Sequence, residues 1–260
     1  MILKDKSVII SGVGPGMGRK LALLAAKEGA KVTIGARSKT FLAELEKEIR
    51  DQGGAVAASI TDVAVPGDCQ RLVDTALKAF GRIDGLVNAA YQTGGFGVFE
   101  DADLSAWTSA MDVTCFGALR MAQAVIPHMK KQGGGSIVNV GSQVTRKPMP
   151  YQGGYMLGKA ALQAATRQLA LELGKYNIRV NSTVIGWMWG ASVEGFMTGE
   201  SKRTGQPIQE MIDAVVVNIP LGRMPPDEEC ARAVVFFLSD YASVVTGAAL
   251  DVNGGEYLPQ

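Results

Sequence analysis

Ser142, Tyr155 and Lys159 are the residues of this chain whose types and spacing can do chemistry. Tyr155 and Lys159 stand four apart in the run Gly154-Tyr155-Met156-Leu157-Gly158-Lys159-Ala160, which opens a long helical pattern. Residues four apart share a helix face, so a phenol and an ammonium one turn apart can be aimed at one substrate atom. A phenol titrates near 10 and is no base at neutrality. Bringing it to about 7 takes roughly 4 kcal/mol of differential stabilisation, which a lysine together with a positively charged cofactor ring can supply. Ser142 ends the strand-like run Ser136-Ile137-Val138-Asn139-Val140-Gly141, and its hydroxyl can hold an oxygen on which charge develops. Taken alone, Tyr-x-x-x-Lys reads as a solvated helix pair, so its meaning depends on the elements that carry it.

Those elements alternate. Apolar, β-rich runs near 6–11, 31–36, 55–60, 84–88, 135–141, 178–184 and 246–252 predict strands, and helical patterns near 16–29, 38–52, 66–80, 103–131, 153–175 and 227–239 lie between them. Alternation of this kind predicts an α/β fold, a doubly wound Rossmann-type parallel sheet of about seven strands with helices on both faces. Several strands are almost continuously apolar, as expected where helices cover both sides of the sheet. No linker divides residues 1–260, which predicts a single domain. The segment 187–222 breaks the alternation and carries Trp187, Met188, Trp189, Phe196 and Met197; its position after a strand's carboxyl end predicts a substrate lid.

Composition narrows the function classes. The chain carries 26 basic and 25 acidic residues, a net charge of +1, which argues against nucleic acid or an anionic membrane as partner. Cys69, Cys115 and Cys230 have neither metal-ligand spacing nor a pairing pattern, and His128 is the only histidine, so no metal site is expected. The N-terminus runs straight into a strand and no apolar run is long enough to span a bilayer, so a cytoplasmic location is expected.

The loop Ser11-Gly12-Val13-Gly14-Pro15-Gly16-Met17-Gly18 follows the first strand and opens the first helix. That is the setting of a dinucleotide loop: glycines allow a tight turn and close backbone approach, and the helix N-terminus offers free N–H groups to phosphates. In such folds an acid at the end of the second strand takes the ribose 2′-hydroxyl of NAD. Here that strand ends Ile34-Gly35-Ala36-Arg37-Ser38, with no acid and with Arg37 in its place. A guanidinium fits a 2′-phosphate, so the residues favour NADP, with NAD as the alternative.

Together these pieces resemble the classical short-chain dehydrogenase/reductase family, over essentially the whole chain from Lys6 to about Tyr257. Ser11-Gly12-x-x-x-Gly16-x-Gly18 is similar to its Thr-Gly-x-x-x-Gly-x-Gly loop, with Met17 inside it, and Asp62-Val63 to the acid that caps the adenine amino group. Asn88-Ala89-Ala90-Tyr91 matches the Asn-Asn-Ala-Gly segment in part, with Tyr91 for glycine. Ser142, Tyr155 and Lys159 match the catalytic residues at the family's separation, and Asp251-Val252-Asn253-Gly254-Gly255 looks like its closing strand and turn. Two departures stand out. The fourth catalytic residue, an asparagine that holds a relay water, is Thr114 in Val113-Thr114-Cys115-Phe116-Gly117. The usual Pro-Gly after the sixth strand is Ile185-Gly186 and the usual threonine beyond it is Gly190, so contacts to the nicotinamide carboxamide fall to Gly186, Trp187 and Met188.

The resemblance implies an NADP(H)-dependent oxidoreductase. Tyr155 exchanges a proton with the substrate oxygen, Ser142 holds that oxygen, Lys159 lowers the Tyr155 pKa and binds the cofactor ribose, and Thr114 is a relay candidate. The enoyl reductases of the family space tyrosine and lysine further apart, and no tyrosine stands seven before Lys159, so carbonyl chemistry is expected. Tyr91, Phe96, Phe99, Val144, Met149, Tyr151, Trp187 and Trp189 suggest an apolar pocket for a hydrophobic secondary alcohol or ketone. The family implies a homotetramer through the helices at 103–131 and 153–175. The competing reading is an NADP(H)-binding sensor or scaffold with a vestigial site, prompted by Thr114, Ile185, Gly190 and Tyr91.

Overall fold

The computed structural model describes residues 1–258. Seven parallel strands form one sheet in the order β3-β2-β1-β4-β5-β6-β7: β1 (Ser7–Ser11), β2 (Lys31–Ala36), β3 (Val56–Ile60), β4 (Gly85–Asn88), β5 (Gly135–Ser142), β6 (Ile178–Ile185) and β7 (Ala249–Val252). The order reverses between β1 and β4, where Ser11 pairs with Asn88, and Ser142 pairs with Ile185 further along. Carboxyl ends at such a switch point open a crevice between the loops that leave them.

Strand alternation sends side chains to two cores. Val8 and Ile10 join a cluster with α1 (Met17–Lys27), α2 (Lys39–Asp51) and α9 (Asp227–Leu238). Ile9, between them, points the other way and packs with α3 (Pro66–Phe80), α5 (Gly117–Gln132) and α6 (Gly153–Leu173). Both faces are therefore buried, which explains the unbroken apolar runs.

Three differences from the sequence reading have local causes. The single helix expected over 103–131 is α4 (Leu104–Met111), a π-helical turn at Asp112–Phe116, and α5. The chain stays in right-handed helical dihedrals through both joins, so it is one rod with a wide turn. The closing strand, Ala249–Val252, is shorter than 246–252, because Gly247 at φ +77° breaks the extended backbone ahead of it; there Asn181 Oδ1 accepts from Ala248 N–H at 3.0 Å and its Nδ2 donates to the Val245 carbonyl. The segment 187–222 holds two helices, α7 (Ala191–Thr204) and α8 (Ile208–Val216).

The start of α6 is set by packing against α4. A Cβ on Gly153 would overlap the Trp107 ring, and one on Gly154 would lie 2.9 Å from it. Two glycines let the helix approach the indole, and Tyr155 follows immediately.

Candidate active site

A cavity of about 350 Å³ runs from the glycine loop between β1 and α1, past the ends of β4, β5 and β6, to the first turn of α7. At one end the wall is backbone. Gly12 has φ +90°, and a Cβ there would overlap the Ala90 backbone nitrogen; a Cβ on Gly18 would lie 2.9 Å from the Val13 Cα. Both glycines are required by close approach and, at Gly12, by a left-handed φ. Gly14, by contrast, faces open space. The N-terminus of α1 has no side-chain cap and no acid in its first turn, so its N–H groups and partial positive charge face the cavity.

At the other end the wall is side chains. β5 delivers Ser142, whose Oγ accepts from the Val144 N–H at 3.3 Å. α6 delivers Tyr155 and Lys159, and the loop after β4 delivers Tyr91. The rings of Tyr91 and Tyr155 meet edge to face at 5.7 Å. Lys159 is 2% exposed; its Nζ donates to the Val140 carbonyl at 2.6 Å and lies 5.4 Å from the Tyr91 ring and 5.7 Å from the Tyr155 ring. Ser142, Tyr155 and Lys159 thus line one cavity together.

The electrostatics of this protein correct one expectation. Burial pushes the Tyr155 phenol up to about 12; the Ser142 hydroxyl pulls it down by hydrogen bonding, and the nearby Tyr91 raises it. Burial also pulls Lys159 down to about 7. Lys159 is therefore no fixed cation at neutrality, and its expected lowering of the Tyr155 pKa is absent in the protein by itself. Anything anionic that entered beside Lys159 would favour its charged form again.

Of the other residues singled out from sequence, Gly12, Gly16, Met17, Gly18, Val144, Gly186, Trp187 and Met188 line the cavity, as do Tyr91 and Met149. Ser11 lies just behind it, buried, with an unpartnered hydroxyl. Arg37 is exposed at the end of β2 and has no ion-pair partner among the described residues. Asp62 accepts from the Ala64 N–H at 2.9 Å, and Val63 packs against Gly117.

Several expectations fall differently. Asn88 is committed to the core: its Nδ2 donates to Asn139 Oδ1 at 2.9 Å and to the Ala118 carbonyl. Thr114 is fully buried, and its Oγ1 accepts from the Gln92 N–H at 3.1 Å, so it anchors the loop that carries Tyr91. Trp189 is tied by its backbone to Pro225 and Asp227, away from the cavity lining. Tyr151 is exposed with φ +66°, and Phe96 and Phe99 are exposed as well; none of the three lines the cavity. Sequence reasoning missed Gln143, Gln152, Ser192 and Val193, which do line it. Gln143 follows Ser142 directly, and strict strand alternation would have sent it away; the 3₁₀ turn at Gln143–Thr145 defeats that rule.

A family model described as enoyl-(acyl carrier protein) reductase matches residues 12–256. A 3-oxoacyl-(acyl-carrier-protein) reductase FabG of Thermotoga maritima is 34% identical over 260 residues, covering 98% of this chain and 99% of its own. An L-sorbose reductase from Gluconobacter frateurii, solved with NADPH and L-sorbose, superposes with a TM-score of 0.94 at 30% identity, with both chains fully covered. An NAD+-bound xylitol dehydrogenase superposes with a TM-score of 0.91 at 28% identity, covering 98% of this chain and 100% of its own.

Proposed function

This chain belongs to the classical short-chain dehydrogenase/reductase family and is an oxidoreductase, and from that premise we propose that it transfers a hydride between NADP(H) and a hydrophobic secondary alcohol or its ketone. The observation that carries the reading is the gathering of Ser142, Tyr155 and Lys159 on one wall of a cavity whose far end is the glycine loop at the N-terminus of α1. The residues fit a dinucleotide. Gly12 and Gly18 have no room for a Cβ, Gly14 and Gly16 leave the cradle open, and the uncapped helix start suits a pyrophosphate. Arg37, exposed and free of an ion pair among the described residues, would take a 2′-phosphate.

When bound, the nicotinamide supplies or accepts the hydride. The chain's own residues do the rest. Tyr155 Oη gives a proton to the substrate oxygen during reduction and takes it back during oxidation. Ser142 Oγ holds the same oxygen by hydrogen bonding. Lys159, which titrates near neutrality, gains charge against an anionic or hydroxyl-rich neighbour and then draws the Tyr155 phenol down. The proton relay assigned to the family's asparagine is not carried by an amide here. Thr114 Oγ1 already accepts from Gln92, which supports a positioning role for it.

Carbonyl rather than enoyl chemistry is supported by the one-turn spacing of Tyr155 and Lys159, although the matching family model bears an enoyl reductase description. Tyr91, Val144, Met149, Trp187 and Met188 give the cavity a mostly apolar wall. Ser192 and Val193 bring the start of α7 to it, which supports α7 and α8 as a lid. Leu157 and Leu171 leave apolar surface on α6, consistent with assembly as a homotetramer. Among the described residues no helix is long and apolar enough to cross a membrane.

The test is separate titration with NADPH and NADH, followed by turnover of a panel of hydrophobic ketones. Tighter NADPH binding is expected, with turnover lowered about a thousandfold or more in Tyr155→Phe while NADPH still binds. Preference for NADH would sink the assignment of Arg37. Binding of NADPH with no turnover across the panel would sink the enzyme reading and favour a sensor.

A further inference from the structure

Gln143 is a buried amide in the cavity wall to which the reaction above gives no task. It is 7% exposed, and its Oε1 is wholly enclosed without a donor among the described residues. Buried polar atoms without partners are rare in folded proteins, because the hydrogen bonds lost to water are not replaced. The ends of an amide are told apart by their partners, and no partner fixes the orientation here.

The position is held firmly. The Gln143 carbonyl accepts from the Arg146 and Lys147 N–H groups at 2.8 and 2.9 Å, and Ser142 Oγ caps the same turn. Gly186 makes room for the amide, since a Cβ there would stand 2.7 Å from Gln143 Oε1. The neighbouring wall at Val144, Trp187 and Met188 is mostly apolar.

We propose that Gln143 recognises a second oxygen of the substrate, a hydroxyl on the carbon next to the reacting one. The enclosed atom is out of a ligand's reach, so the hydroxyl meets the other end of the amide; a hydroxyl both donates and accepts, so it can pair with either atom there. Ser142, which holds the reacting oxygen in that reaction, is the preceding residue, and both line the same cavity. The substrate class is then an α-hydroxy ketone, or the corresponding vicinal diol, on an otherwise apolar frame. This inference rests on the carbonyl reading of the same cavity.

Cyclohexanone and 2-hydroxycyclohexanone make a matched pair. The quantity read is the ratio of their kcat/KM values with NADPH, in the wild type, in the near-isosteric Gln143→Met and in Gln143→Ala. A ratio cancels any loss of folded protein. The wild type should favour the hydroxy ketone, and the ratio should fall about tenfold or more in both variants, as happens when a site built to hydrogen-bond a hydroxyl loses its partner. An unchanged ratio in both variants overturns the inference while leaving the carbonyl reading intact. So does a fall in both kcat/KM values matched by an equal loss of NADPH affinity, which would assign the amide to the cofactor. If the wild type turns over neither ketone, the carbonyl reading fails and this inference fails with it.

Discussion

The two ends of the cavity are built from different materials. At the β1–α1 loop the wall is main chain: Gly12 and Gly18 have no space for a methyl group, and the start of α1 presents bare N–H groups. At the β4, β5 and α6 end it is side chain: Tyr91, Ser142, Gln143, Tyr155 and Lys159 arrive from three separate elements. Main-chain geometry admits little change without moving the strands it joins. Side-chain geometry can change one residue at a time, and this end departs from the family's pattern at Tyr91 and, behind it, at Thr114. The contrast separates a part that would recognise a common cofactor from a part that would choose a substrate.

The comparison can be broken most sharply within the glycine loop. In Gly12→Ala the new methyl would meet the Ala90 backbone at a left-handed φ, so β1 or the loop after β4 must shift. The expected loss of stability is about 4 kcal/mol or more, with loss of dinucleotide binding. Gly14→Ala faces open space and should stay within about 0.5 kcal/mol of the parent. Urea midpoints measure both. If the two variants melted alike, the loop would not be held by backbone contact, and the contrast between the two ends would collapse.

The side-chain end should instead announce itself through pH. Lys159 titrates at about 7 in the folded protein against 10.5 ordinarily, because burial disfavours its charge. Between those values the unfolded chain holds a proton that the folded chain has released, so this group makes stability rise with pH and then level off above both. The rise from pH 7 to 9.5 should be roughly 3 kcal/mol, a slope of about 1.36 kcal/mol per unit at most. Tyr155 acts oppositely: at about 12 against 10.0 it makes stability fall once pH passes 10. Subtracting the urea stability of Lys159→Met from that of the parent isolates the lysine. A difference that stays flat from pH 7 to 9.5 would mean that the ammonium is solvated and the site is less enclosed than its geometry implies.

The same division governs what could be read from sequence. Strands were legible because both faces of the sheet are buried, so Val8-Ile9-Ile10 is apolar without interruption. The glycine loop was legible because its chemistry resides in the absence of side chains. The wide turn at Asp112–Phe116 was hidden, since one extra residue in a turn barely disturbs helical periodicity over 103–131. α7 was hidden too: Ala-Ser-Val-Glu-Gly-Phe-Met-Thr-Gly-Glu has no apolar stripe, and Met197 is its only buried residue. Ser142, Tyr155 and Lys159 were legible by type and spacing, whereas the depressed basicity of Lys159 depends on its burial in the fold, which no spacing reveals. Gln143 went unseen because its role depends on a partner it lacks.

Thr114 provides the finest test of whether the side-chain end is held from behind. Its hydroxyl accepts from the Gln92 N–H at 3.1 Å, one residue past Tyr91, and Tyr91 packs on Tyr155. The methine of Thr114 also seats Gly158, which lies between Tyr155 and Lys159 on α6. Thr114→Val keeps the shape and removes the acceptor, so the Gln92 N–H loses its partner at a cost of about 1–2 kcal/mol. The loop should then let Tyr91 drift from Tyr155, and the pH at which the Tyr155 phenol ionises should fall as the neighbouring phenol withdraws, readable by ultraviolet titration of the phenolate against Tyr155→Phe. Thr114→Ser retains the hydroxyl and should restore both stability and titration toward the parent. Equal behaviour of the valine and serine variants would confine Thr114 to packing, and the tie between the loop and the tyrosine pair would have to come from the main chain, as it does at the opposite end of the cavity.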